Sequence, residues 1–232
     1  MEKRNIVLKK IRTKEPQYQK MLSDKKEHSL ETLGLRGSLS WREDPKHLVF
    51  RLARYKFVAK MLSGSENALE IGCGDAFGTR LVQQEVRNVT VADFDPVFID
   101  EVEQRMHVDW PMSTLVVDFM KEGVTQKFDA VFSLDVLEHI PIEQEETFLH
   151  NVFSCLSKNG VAIVGMPSLE SQEYASYQSK IGHINCKSAP ALREIMDTFF
   201  HNVFMFSMND EVVHTGYHKM AHYIIALGCS PK

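Results

Sequence analysis

The segment Ala68–Arg80, ALEIGCGDAFGTR, constrains the fold of this chain more than any other. It reads as a buried strand ending at Glu70, a glycine-rich turn, and the start of a helix. Gly72, Gly74 and Gly78 let the backbone pass close to a ligand and adopt conformations that a Cβ would forbid. A helix beginning just after them would offer unpaired N–H groups to that ligand. The spacing is GxGxxxG, one residue longer than the GxGxxG of nicotinamide and flavin sites. Glu70 before the turn and Asp75 inside it suit a ligand that carries positive charge.

From there strands and helices alternate. Asn88 to Asp95, NVTVADFD, is an apolar run closing on Asp93, about 20 residues past the glycines, where a carboxylate can accept hydrogen bonds from a ribose diol. STLVVDFM predicts a third strand, with Asp118 and Phe119 near its end, and FDAVFSLDVLEHI a fourth. His47 to Leu62 has helical spacing and feeds into the first strand. Thr147 to Leu156 predicts a helix with Leu149, Val152, Phe153 and Leu156 on one face. Asn159-Gly160 then turns into the strand VAIVGMPS. Ala191 to Phe199 predicts a further helix, and VFMFSMN and HYIIALGC a closing pair of strands. Such alternation gives a parallel sheet covered on both faces. Residues 29–47 and 169–190 read as irregular structure, with Trp41 expected to pack on the core.

These motifs, in this order, resemble those of the class I S-adenosylmethionine-dependent methyltransferases, over roughly residues 48–228. The resemblance implies an α/β fold: a Rossmann-like seven-stranded sheet, its last strand antiparallel, with helices on both faces. It divides the chain into an amino-terminal helical cap or arm, 1–47, and a methyltransferase domain, 48–232. It also implies S-adenosyl-L-methionine as cofactor. Glu70, Gly72, Cys73, Gly74 and Gly78 correspond to its glycine motif, and Asp93 and Phe94 to the ribose position. Asp118 and Phe119 correspond to the adenine position, and Leu134 to the end of the fourth strand. Arg54 stands at the distance from strand one of the arginine that holds the cofactor carboxylate in ubiquinone-pathway O-methyltransferases. Arg51, one turn away, is the alternative.

Asp135-Val136-Leu137-Glu138-His139 resembles the ExxEH motif of the ubiquinone-pathway and small-RNA 2′-O-methyltransferases. In both groups a later histidine completes a metal site, and His183 in IGHIN is its counterpart here. The resemblance implies a divalent ion, magnesium, manganese, iron or zinc, held by Asp135, Glu138, His139 and His183. Asp135 stands where the first glutamate would be and is shorter. Without a metal, His139 or His183 is the candidate general base, with Glu138 beside it, because imidazole titrates near neutrality. The competing reading makes these residues helix caps or substrate contacts. His214, Tyr217, His218 and His222 cluster near the last turn and read as solvated, with His222 structural.

Composition narrows the function. Hydrophobic residues are 44% of 232, enough for one sizeable core. The net charge of −4 argues against nucleic acid as partner. Residues 1–27 carry nine Lys/Arg and four Asp/Glu, read as a solvated helix or as a basic arm toward an anionic acceptor. The four cysteines lack CxxC spacing, which disfavours a zinc cluster and fits a reducing compartment. With neither a membrane-length apolar run nor a secretory leader, a cytoplasmic protein is expected. The expected reaction is O-methylation of a small-molecule acceptor, such as a sugar or nucleotide-activated surface-glycan precursor, with or without metal assistance. The alternatives are an RNA 2′-O-methyltransferase and a non-catalytic cofactor-binding subunit.

Overall fold

The computed structural model describes residues 12–232. They fall into two compact units, one up to Thr32 and one from Leu33 onward. The first holds a 3-10 turn, Pro16–Tyr18, and helix α1, Gln19–His28, neither of which buries a residue. The amino-terminal part of the expected basic arm, residues 1–11, lies outside the described residues. The expected boundary at residue 47 falls inside the second unit.

That unit opens with α2, Leu35–Glu43, and α3, Pro45–Met61. Residues 29–47 are therefore not irregular throughout, and Trp41 on α2 is 59% exposed rather than in the core. Between α2 and α3, Asp44 accepts a hydrogen bond from the His47 N–H, and Pro45 occupies the first turn, where its missing donor costs nothing. Then follow β1 (Asn67–Ile71), α4 (Thr79–Val82), β2 (Asn88–Asp93), α5 (Pro96–Arg105), β3 (Ser113–Val116) and β4 (Phe128–Leu134). After β4 come α6 (Glu145–Phe153), β5 (Leu156–Pro167), α7 (Tyr177–Gly182), α8 (Ala189–Phe199), β6 (Phe200–Asn209), β7 (Val212–His214) and β8 (Tyr223–Pro231).

The sheet has eight strands in the order β3-β2-β1-β4-β5-β8-β6-β7. The first five run parallel, and β8 lies antiparallel between β5 and β6. The expected seven strands are present; the eighth is the short edge strand β7, paired antiparallel with β6.

Period-two alternation splits the core. Val131, Ile224 and Ala226 join a layer with Leu149 and Val152 of α6 and Leu192 and Met196 of α8. Ala130, Phe132, Tyr223 and Ile225 face the other way, onto Val58 of α3 and Ile99 and Val102 of α5. Helices thus pack on both sheet faces, and in such sheets ligands bind at the strand ends.

Three local expectations change. The helix after the glycine turn is a single turn, α4. Asn159-Gly160 lies within β5, in an irregularity of its pairing with β4. Residues 169–190 contain a 3-10 turn, Glu170–Tyr174, and α7, the latter capped by Ser176.

Candidate functional site

A cavity of about 380 Å³ opens at the carboxyl ends of the parallel strands. Gly72 and Gly74 form its floor, both at positive φ (69° and 53°). A Cβ on Gly72 would fall 2.3 Å from Val136 Cγ2, and one on Gly74 2.9 Å from Arg36 Cδ. Glycine is therefore needed twice over, for the backbone angle and for the close approach.

Asp93, at the end of β2, lines the cavity and also shapes its floor. Its Oδ2 accepts from the Gly74 N–H at 2.9 Å, and its Oδ1 from the Asp95 N–H at 3.0 Å. Phe94, Asp118 and Phe119 line the same cavity. Asp118 accepts from the Met120 N–H at 3.0 Å and pairs with Lys121 at 2.8 Å. Lys121 and that backbone bond hold its pKa below the ordinary carboxylate value.

The remaining sequence candidates for the cofactor sit behind the wall. Glu70 is buried, accepting from Tyr55 Oη at 2.7 Å and from the Thr79 hydroxyl. Burial pushes its pKa up to about 7 despite those two donors. Cys73 is buried and its thiol faces the Gly74 carbonyl. A Cβ on Gly78 would lie 2.3 Å from the Tyr55 ring, so its role is to admit that ring. Leu134 is buried in the core.

Arg54 is not free to meet a ligand's carboxylate. Its Nη1 donates to both oxygens of Asp135, at 2.9 and 2.7 Å, and its guanidinium lies 3.8 Å over the Tyr223 ring. Burial pushes the Asp135 pKa up, but Arg54, with Arg36 and Arg51 behind it, outweighs this, and the net direction is down. Arg51 is also engaged, 3.0 Å from Ser40 Oγ and 3.8 Å from Asp75. The guanidinium that reaches the cavity is Arg36, on α2. Sequence reasoning misses Arg36 because residues 29–47 carry no periodic pattern. The one signal there is the glycine pair bracketing it: Gly34 packs on Asp75, and the Gly37 N–H donates to Asp75 Oδ2 at 2.6 Å.

Beyond the cavity floor, the chain after β4 makes a 3-10 turn, Leu137–His139, that aims Glu138 inward and leaves His139 exposed. The Asn185 N–H donates to the Glu138 carbonyl at 3.0 Å, which draws His183 alongside. Ligand atoms of Glu138, His139 and His183 lie within 4.8 Å of one another. Asp135 is not part of this cluster. It occupies a left-handed conformation (φ 57°) and is spent on Arg54. The four-residue set implied by the sequence thus becomes three.

Glu138 is fully buried, and among the described residues no other one donates a hydrogen bond to either of its oxygens. Burial, then the nearby Asp135 charge, raises its pKa well above the usual carboxylate range. Its nearest basic neighbour is His139 Nε2, 3.9 Å from Oε1. Burial, then the His139 ring, lowers the His183 pKa, which favours a neutral ring with a lone pair.

Comparison with known proteins matches this arrangement to a family. Residues 68–160, from β1 into β5, match a family described as a methyltransferase domain. That match covers about two fifths of the chain. Nodulation protein S of Sinorhizobium fredii (strain NBRC 101917 / NGR234) is 30% identical over 104 residues. That match spans 43% of this chain and 46% of the relative, so it covers about half the length of each protein. Among solved structures, the N-methyltransferase NodS from Bradyrhizobium japonicum WM9, in complex with S-adenosyl-L-homocysteine, superposes with a TM-score of 0.62 at 20% identity. The superposition covers 83% of this chain and 92% of that one. A DhpI complex with the same product gives 0.59 at 16% identity, covering 84% and 90%. The cavity lies where open α/β sheets bind their ligands, outside the strand carboxyl ends.

Proposed function

We propose that the chain is an S-adenosylmethionine-dependent methyltransferase acting on a small polar acceptor through a hydroxyl group. The observation that carries this reading is the cavity itself. A glycine floor and a ribose-matched aspartate stand beside Phe94, Phe119 and Asp118, and His139 of the titratable cluster lines the same cavity. Asp93 accepts from the ribose diol, while Asp118 accepts from the adenine amino group. Arg36, rather than Arg54, meets the cofactor carboxylate. The methyl group is already activated by its sulfonium, so the protein contributes mainly alignment of donor and acceptor.

An alcohol is a weak nucleophile and needs help with its proton. The Glu138–His139–His183 cluster supports O-methylation for this reason. A buried carboxylate without hydrogen-bond donors is costly unless a cation or proton completes it. One carboxylate and two imidazoles suit a borderline divalent ion such as manganese, iron or zinc. Such an ion would lower the pKa of the acceptor hydroxyl. Without it, the free nitrogen of His139 or His183 is the general base. A second reading, N-methylation, is favoured by the N-methyltransferase NodS among the similar structures. A neutral amine requires no such activation.

Two tests separate these readings. Arg36→Ala should weaken S-adenosylhomocysteine by about 1.5–3 kcal/mol, the worth of a charged hydrogen bond, measured by calorimetry. An analogue lacking the carboxylate should lose nothing. Equal losses for both ligands would remove Arg36 from the role. For the cluster, chelator should lower turnover of a hydroxyl acceptor, and added divalent ion should restore it. In Glu138→Gln and His183→Ala the response should vanish. Turnover indifferent to chelator, with no ion found by elemental analysis, would leave the imidazoles as bases or as substrate contacts. Preference for an amine acceptor would establish the second reading.

A further inference from the structure

The two imidazoles of the cluster are not loose side chains; each has one nitrogen occupied by the segment 168–183. His139 Nδ1 is 2.8 Å from the Gly182 carbonyl, which can only accept, so this nitrogen carries the proton. His183 Nδ1 is 2.9 Å from Gln172 Oε1. The amide orientation there is fixed from its other end. Gln172 Nε2 donates to the Ser168 carbonyl at 3.1 Å and to Ser171 Oγ at 3.2 Å. Ser171 Oγ spends its own proton on that same carbonyl, at 2.8 Å. Ser168 is fully buried and is anchored through its hydroxyl to the Ala221 carbonyl at 2.7 Å. An amide flip would set Gln172 Oε1 against the Ser168 carbonyl, acceptor against acceptor. Gln172 therefore presents oxygen to His183, and His183 Nδ1 must be the donor.

We infer that Gln172 is a positioning residue that holds the proton of His183 on Nδ1, leaving Nε2 to face the cluster with Glu138. Gln172 is not among the residues that line the cavity, so its effect on the site runs through His183. Partners of this kind orient ligating histidines, and their loss typically costs about 10–100-fold in metal affinity. The consequence for an ion rests on the metal reading above; the tautomer itself does not.

The test uses the full-length, metal-free protein with ¹⁵N-labelled histidine. Long-range ¹H–¹⁵N spectra report which ring nitrogen bears the proton. Wild-type His183 should show the Nδ1–H form. Gln172→Leu, which is similar in size but cannot accept, should shift it toward Nε2–H while His139 keeps its own form. Gln172→Glu, which still accepts, should restore the wild-type pattern. Zinc titrated calorimetrically should bind Gln172→Leu roughly 10–100-fold more weakly than wild type, and Gln172→Glu at least as tightly as wild type. An unchanged His183 tautomer in Gln172→Leu overturns the inference. A shifted tautomer with no zinc binding to wild type would sustain it and refute the metal reading instead.

Discussion

Arg54→Ala should destabilise the protein by about 3–5 kcal/mol, the range for breaking a buried ion pair from one side. Arg54 is 5% exposed, and the Asp135 side chain keeps 18% of its surface. Without the guanidinium, Asp135 remains charged in a pocket it shares with Glu138, and the Tyr223 ring loses its cation. At this chain length the loss corresponds to a fall in melting temperature of roughly 6–20 °C. Arg54→Ala combined with Asp135→Asn should recover much of it. Asparagine tolerates the left-handed backbone at that position and removes the orphaned charge. Denaturant titration of the two single variants and the double variant gives the coupling. A loss below about 1 kcal/mol in Arg54→Ala would show that the pair behaves as a solvated one.

The second large effect is a pH dependence set by Glu70. Burial raises its pKa from an ordinary 4.5 to about 7 in the folded protein. The native state therefore holds this proton more tightly than the unfolded chain. Its contribution to stability is complete below about pH 4.5, declines as pH rises, and is gone above about 7. Each tenfold difference in proton affinity is worth about 1.4 kcal/mol, so the loss across that window amounts to about 3 kcal/mol. Glu70→Gln keeps an acceptor for Tyr55 and should flatten this part of the curve, measured by denaturation at several pH values. A parallel pH profile in the variant would show that Glu70 stays charged throughout.

Much of the fold was legible because its signals are local. Alternating apolar residues, Asp-Pro helix starts and a glycine turn each act within a few residues. The floor of the cavity was legible for the same reason. Gly72, Gly74 and Asp93 are fixed by the turn and by the end of the next strand. What escaped the sequence is pairing at long range. Nothing near Arg54 announces that it will be consumed by Asp135, 2.7 Å away in space. In residues 29–47 only the glycine pair at 34 and 37 brackets Arg36, whose side chain lines the cavity. The crowding of carboxylates at the strand ends was readable, but not how each is relieved. Asp135 is met by Arg54, Asp75 by Arg51, Asp118 by Lys121 and Asp93 by two backbone N–H groups. Glu138 accepts no hydrogen bond from another described residue and has its nearest base, His139 Nε2, at 3.9 Å, and that contrast emerges only in three dimensions.

The place of β8 has a consequence for the order in which the molecule is made. It follows β6 and β7 in the chain yet is an interior strand in space, flanked by β5 and β6. As the chain leaves the ribosome, β1 through β5 can pair and the glycine floor can close. β6 and β7 must wait, because their route into the sheet runs through β8. Arg54 emerges early, but the aromatic face it rests on is Tyr223, at the start of β8. Segments that appear early tend to fold first during synthesis, so the ground beneath the cavity is laid long before its keystone arrives. A nascent chain stalled ahead of Tyr223 would hold the Arg54 guanidinium with its tyrosine still missing.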